Sequence, residues 1–225
     1  MKPATEEETP ETATPNPFMR AWGSCFAALY NPLLWRTERR GNAKRRANLI
    51  AGANGTVVEL GAGTGHNLSH YPDDAELILT EPHEPMARRL EQHVARSGRE
   101  ATVLRAPAED LPLPDNCADT VVSTLVLCTV GDLDASLAEA RRVLKPGGRL
   151  LFLEHVAAEP GSRLDRWQRK AHGFWHGFAC GCHTNRETEA AIRRSGLRID
   201  ELVNDRLEFE VPLIHPLIWG RAINP

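Results

Sequence analysis

Short β-rich runs alternate with amphipathic segments from Thr56 onward, and that alternation leaves few folds open. The runs occupy 56–60, 76–80, 101–105, 120–127 and 149–153. Between them, 85–97 places Met86, Leu90 and Val94 on one helical face and stops at Gly98. Residues 133–144 carry the stripe Leu133, Leu137, Ala140 and Leu144, and end at Pro146-Gly147-Gly148. Apolar strands alternating with helices bury both faces of a sheet, so the pattern predicts a doubly wound α/β fold with a mostly parallel sheet. Beyond 153, an aromatic helix is expected over 163–178. Thr184 and Glu187 have capping-box spacing for a helix ending at Gly196. Runs at 207–213 and 217–223 read as closing strands, antiparallel if they form a hairpin, which gives the sheet an antiparallel C-terminal strand.

A chain of 225 residues suits one domain with an added flank. The main domain is assigned to 51–225. Residues 1–17, rich in Glu, Thr and Pro, read as a disordered acidic tail, and 18–50 as a helical cap. In that cap Trp22, Phe26 and Tyr30 share a face that could pack on the domain, cover a ligand or make weak contact with a membrane surface. The basic run from Arg36 to Arg46 reads as the solvated side of a helix, with a phosphate or anionic-lipid contact as the alternative. Net charge is 27 − 30 = −3, and Lys2 against Glu6, Glu7, Glu8 and Glu11 already accounts for it. The balanced remainder offers no nucleic-acid footprint. Residues 120–130 are apolar but too short to span a membrane, and the N-terminus lacks the basic and apolar regions of a secretory signal. Five cysteines, Cys25, Cys117, Cys128, Cys180 and Cys182, are an odd set without disulfide-framework spacing, so a reduced, cytoplasmic chain is expected.

The chemistry begins where the first strand runs into Gly61, Gly63 and Gly65, which let the backbone turn tightly beneath a ligand. Their spacing differs from the Gly-x-Gly-x-x-Gly of dinucleotide binders and argues against a nicotinamide-dependent oxidoreductase. Glu81, at the end of the second strand, stands where an acidic side chain can accept hydrogen bonds from ribose hydroxyls.

With the Glu59-x-Gly61-x-Gly63-x-Gly65 loop and Glu81 stand an Ala108-Glu109-Asp110-Leu111-Pro112 segment, an Asp119-x-Val121 strand and Val143-Leu144-Lys145-Pro146-Gly147-Gly148. Together they resemble the class I S-adenosylmethionine-dependent methyltransferases. Leu125 to Val130, Glu154-His155-Val156, Gly181-Cys182 with Arg186, and His215 with Gly220 are similar to the branch containing animal thiol S-methyltransferases, over roughly residues 36–222. The resemblance implies a Rossmann-like methyltransferase fold and an S-adenosyl-L-methionine cofactor. It implies cofactor contacts at Glu59, Gly61, Ala62, Gly63, Gly65, Glu81, Pro82, Ala108, Glu109 and Leu125. It also implies methyl transfer to a small-molecule acceptor, with a thiol preferred. Phospholipid or other amine N-methylation and a noncatalytic cofactor-binding module are the alternatives. Two departures stand out: a polar tail replaces the apolar anchor of animal members, and Pro107 replaces an Asp, which leaves the adenine amine to Glu109 or main chain.

On the acceptor side, Cys128 follows the fourth strand and His155 the fifth, both at the carboxyl edge where ligands collect, and both are the candidate catalytic residues. A thiol is largely protonated at neutral pH, so a nearby base or positive field would assist its methylation. Trp175 and Cys182 are the candidate acceptor wall, with ordinary core packing as the competing role for Trp175. His172 and His176 lie one helical turn apart. Cys180-x-Cys182-His183 is tighter than zinc-ligand spacing and lacks a second ligand pair in sequence, so no metal is expected.

Overall fold

A computed structural model describes residues 41–179, 181–207 and 211–225. The tail, the Trp22–Phe26–Tyr30 face, Arg36 to Arg40, Cys25 and Cys180 lie outside the described residues. Of the 18–50 cap, its last residues form α1 (Ala43–Ile50).

Seven strands make one sheet: β1 (Thr56–Leu60), β2 (Glu76–Thr80), β3 (Ala101–Leu104), β4 (Ala118–Thr124), β5 (Leu144–His155), β6 (Arg198–Arg206) and β7 (Pro216–Ile223). Their order is β3-β2-β1-β4-β5-β7-β6; β1 to β5 pair in parallel, and β7 runs antiparallel to both β5 and β6. Helices α2 (Glu84–Ser97), α3 (Leu133–Val143), α4 (Arg163–Phe178) and α5 (Thr188–Arg194) complete the chain.

Side chains alternate across the pleat, so each central strand feeds two cores. Val58, Val121, Leu150 and Phe152 join Leu137 and Ala140 of α3 and Ile192 of α5 on one side. Val57, Val122, Leu151 and Leu153 join Leu49 and Ile50 of α1 and Leu90 of α2 on the other. Strand order reverses between β1 and β4, and crevices at the carboxyl ends of strands open at such a switch point.

Three expectations need correction. No strand covers 207–213 among the described residues. The partner of β7 is β6, which ends at Arg206, and Pro212–Ile214 is a 3-10 turn. The capping box does not form, because α5 starts at Thr188 with Glu187 as N-cap, and the Thr184 hydroxyl donates to Gln168 O at 3.3 Å. Nor is the end of the basic run wholly solvated. Arg46 is 3% exposed and donates to Asn67 Oδ1 at 2.9 Å and Thr124 Oγ1 at 2.6 Å, while Arg45 pairs with Asp205 at 2.7 Å.

Candidate functional site

Strand β1 ends at Leu60 and the chain turns at Gly61 with φ +54°. A Cβ there would stand 2.7 Å from Cγ1 and 2.9 Å from Cγ2 of Val126, so the loop after β4 presses against this glycine. Gly63, with φ +59°, differs: its absent Cβ would meet nothing nearer than Gly61 O at 4.0 Å, leaving that face of the loop open. The loop is tied down by Ala62 N donating to Thr80 O at 2.8 Å and Gly65 N to Ala62 O at 2.9 Å. Its edge is closed by Glu81, whose carboxylate accepts from Gly63 N at 2.9 Å and His83 N at 2.8 Å. Burial pushes the Glu81 carboxyl above its ordinary range, against the opposing bonds from the His83 and Gly63 amides. Two of roughly four lone-pair positions on that carboxylate are taken, and the others remain for a vicinal diol. An open glycine face beside an anionic acceptor fits the ribose and methionine portions of S-adenosylmethionine. Ala62 is buried beside Gly61, Ala108 is buried in the segment after β3, Gly65 follows on the glycine loop, and Pro82 is exposed beside Glu81.

Two expected cofactor contacts already hold hydrogen bonds within the protein. Glu59 is buried, and its oxygens accept from Asn67 Nδ2 at 2.8 Å and Tyr71 Oη at 2.7 Å. With Arg46 held on Asn67 and Thr124, it braces the glycine loop from behind. Burial raises its pKa, and those hydrogen bonds and Arg46 oppose the rise. Glu109 Oε1 accepts from Gly131 N at 2.6 Å and Asp132 N at 3.2 Å, fastening its loop to the start of α3. Arg46, Asn67 and Tyr71 escaped sequence reading because their partners are far apart in the chain.

On the acceptor side, Leu125 leaves β4 with φ +60°, a strained value for a residue with a side chain, and its N–H reaches Leu153 O at 2.8 Å. Glu154, fully buried on β5, accepts from Ser123 Oγ at 2.7 Å and Val126 N at 3.2 Å. Burial raises its pKa. The same loop then delivers Cys128, whose carbonyl accepts from His183 N at 2.8 Å and so draws in the Cys182 segment.

Cys128, His155 and Cys182 thereby meet, all buried, with their ligand-class atoms within 4.8 Å of one another. His155 Nε2 lies 3.0 Å from Cys182 Sγ, and Trp175 Nε1–H donates to that same sulfur at 3.2 Å. The Cys128 hydrogen bond, then those of His155 and Trp175, hold the Cys182 thiol low despite its burial, whereas Cys128 is driven up by its bond to Cys182 and by burial. The four acceptor-side candidates thus form one cluster, and its Cys128 lies two residues along the chain from Val126, which packs against Gly61. Trp175 belongs to it, while Trp167, Phe174 and Phe178 of the same helix stay exposed. Beside the cluster, the rings of His172, His176 and His183 lie 4.6–5.8 Å apart. Burial, with Arg186, His176 and His172 adding to it, lowers His183 to about 4.

Residues 58–152 match the methyltransferase domain family. Human thiol S-methyltransferase TMT1B is 37% identical over 210 residues, covering 89% of this chain and 86% of its own. Human thiol S-methyltransferase TMT1A is 32% identical over 207 residues, covering 88% and 82%. Among solved structures, a SAM-dependent methyltransferase from Thermotoga maritima has a TM-score of 0.66 at 22% identity, covering 92% of this chain and 100% of that one. Geranyl diphosphate C-methyltransferase from Streptomyces coelicolor, solved with S-adenosyl-L-homocysteine, has a TM-score of 0.65 at 15% identity, covering 83% and 80%. These structures share the Rossmann-like fold of the seven-stranded sheet.

Proposed function

The chain belongs to the S-adenosylmethionine-dependent methyltransferases, and we propose that its acceptor is the sulfur of a small alkyl thiol. The observation that carries this reading is the similarity to two human thiol S-methyltransferases along more than four-fifths of each chain. The sulfur–imidazole cluster at the carboxyl edge supports it.

Bound S-adenosylmethionine supplies a methyl group on a sulfonium, open to in-line attack by a nucleophile. The chain's own residues supply position and field. Glu81 takes the ribose hydroxyls, with the Gly63 and His83 amides fixing its carboxylate. Val126 against Gly61 sets the spacing between the cofactor loop and the acceptor loop. The Trp175 Nε1–H donates to Cys182 Sγ and His155 Nε2 lies 3.0 Å from the same sulfur, so that corner favours negative charge on sulfur, as a thiolate acceptor requires. Exclusion of water by the buried His155, Cys128 and Cys182 strengthens those interactions.

Transfer of labelled methyl from S-adenosylmethionine to a panel of alkyl thiols, amines and phosphatidylethanolamine tests the acceptor. S-methyl products are expected. Amine products with inert thiols would refute a thiol acceptor, and tight cofactor binding without any transfer would reveal a noncatalytic module. No helix among the described residues is long and apolar enough to cross a membrane. The free, adjacent Cys128 and Cys182 suit the reducing cytoplasm, and the exposed Trp167, Phe174 and Phe178 suit weak contact with a membrane surface. Cell fractionation should find the chain mainly in the cytosol, with at most a minor share on membranes, released by alkaline carbonate.

A further inference from the structure

Cys128, His155 and Cys182 come from three separate elements, the loop after β4, the end of β5 and the turn after α4, yet converge within 4.8 Å. All three are at least nine-tenths buried, at 2%, 3% and 8% exposure. Two thiols and an imidazole are the donor set that prefers zinc-class ions over magnesium or calcium. Around a tetrahedral ion with Zn–S of about 2.3 Å and Zn–N of about 2.0 Å, the N···S separation is roughly 3.6 Å and S···S roughly 3.8 Å. His155 Nε2 and Cys182 Sγ, now 3.0 Å apart, need to open by only about half an ångström to reach that geometry.

One further observation points to a ligand. Trp175 Nε1–H already donates to Cys182 Sγ, as an outer hydrogen bond to a metal-held thiolate would. Charge favours the same reading, because a divalent cation between two thiolates leaves no net charge in a buried site.

We propose that Cys128, His155 and Cys182 form a three-ligand site for a zinc-class divalent cation, with its fourth position open to the acceptor sulfur. This rests on the thiol-acceptor reading. An incoming thiol loses its proton to bulk solvent on entering, and its sulfur binds the ion as the thiolate. The sulfur lone pair then forms the new S–CH3 bond while the donor's sulfonium C–S bond breaks, leaving a neutral thioether on each side. Three protein ligands with one open position are the arrangement of catalytic rather than structural zinc. A neutral thioether binds the ion more weakly than a thiolate, so the product leaves. The short Cys180-x-Cys182-His183 spacing gave no hint of this site, because its other two ligands lie 54 and 27 residues upstream of Cys182.

The test is titration of the reduced, chelator-treated full chain with Co2+, followed by visible and near-ultraviolet absorption. One tetrahedral Co2+ per chain with sulfur charge-transfer bands is expected, and a saturating alkyl thiol should shift those bands. Cys128→Ser and Cys182→Ser should each weaken binding by more than about 10-fold. S-adenosylhomocysteine affinity, which reports an intact cofactor half, should stay within about twofold in both variants. Absence of bands in wild-type protein that binds S-adenosylhomocysteine normally overturns the site, as does full Co2+ binding in Cys182→Ser. Bands unmoved by thiol overturn the open position. Full-rate thiol methylation in the presence of a strong chelator overturns the metal site yet leaves the thiol assignment standing. Methylation of amines alone removes the thiol assignment whatever the metal does.

Discussion

Substituting alanine at Gly61 probes how the cofactor loop and the acceptor loop are coupled. Two costs add. A side chain at φ +54° occupies the left-handed region, at about 1–2 kcal/mol. The new Cβ also falls 2.7 and 2.9 Å from both methyls of Val126, well inside ordinary contact. Val126 is β-branched and stiff at χ1, so both methyls cannot swing clear, and overpacking of this kind costs about 1–3 kcal/mol. Gly61→Ala should therefore cost about 2–5 kcal/mol of folding stability. Val126→Ala removes the methyls, so in that background Gly61→Ala should cost only the backbone part, about 1–2 kcal/mol. The resulting coupling of about 1–3 kcal/mol lies within the range measured for residues in contact. Urea unfolding of wild type, both single variants and the double variant supplies the cycle, and calorimetry with S-adenosylhomocysteine follows the cofactor site. Equal costs of Gly61→Ala in the two backgrounds would show that Val126 does not press on the loop, and the link between the two halves of the site would fall with it.

Glu81→Ala should weaken S-adenosylhomocysteine binding roughly 10- to 150-fold by calorimetry, the worth of a hydrogen bond to a charged group. Because the ionised carboxylate is the binding form and burial raises its pKa, wild-type affinity should begin to fall on acidification at a higher pH than the ordinary value of 4.5 implies, and Glu81→Gln should remove that dependence. Trp175→Phe keeps a ring but deletes the donor to Cys182, so thiol kcat/KM should drop roughly tenfold with cofactor affinity and melting temperature little changed. A large loss of melting temperature with an unaltered acceptor profile would instead make Trp175 a packing residue. Asp205, held by Arg45 below the ordinary value of 3.8, binds its proton more readily unfolded than folded. Its contribution is therefore complete above that value and lost as pH falls through the lowered one; Asp205→Asn should flatten acid unfolding by about 1 kcal/mol or less.

How far the sequence could be read follows from where each residue's partners lie. The β1 and β2 runs announce themselves because both faces are buried and apolar residues crowd together. Strand β6 hid because it is an edge, with Arg198, Asp200, Glu201, Asp205 and Arg206 in it and little burial on either side, whereas the more apolar stretch after Leu207 drew the assignment. Thr184 had the right spacing for a cap, but the carbonyl of Gln168 took its hydroxyl. Arg46 looked like surface charge, and only the fold brings Asn67 and Thr124 to it. Within the candidate site, the turn at Gly61 and Gly63 and the place of Glu81 at the end of β2 were legible because strand-to-loop chemistry is local. Cys128, His155, Trp175 and Cys182 could be named singly, but their convergence needs the Cys182 turn to fold back on the Cys128 carbonyl.

The insertion of β7 between β5 and β6 has a consequence for the order in which the chain can assemble. Strands β1 to β5 leave the ribosome before either of the last two and can zip into a parallel half-sheet as they appear. Strand β6 is made next, but its sheet neighbour is β7, so until 216–223 follow, β6 has nothing to pair with and β5 presents a bare edge. Long-range pairing of this kind slows folding and exposes sticky strand edges meanwhile. The charges along β6 are a safeguard during that wait, since lysine-, arginine- and carboxylate-bearing edges resist pairing with other nascent chains. Arriving last, β7 caps the edge of β5 and fixes β6 through Glu201, whose carbonyl sits so close to Gly220 that only a residue without a side chain can pass.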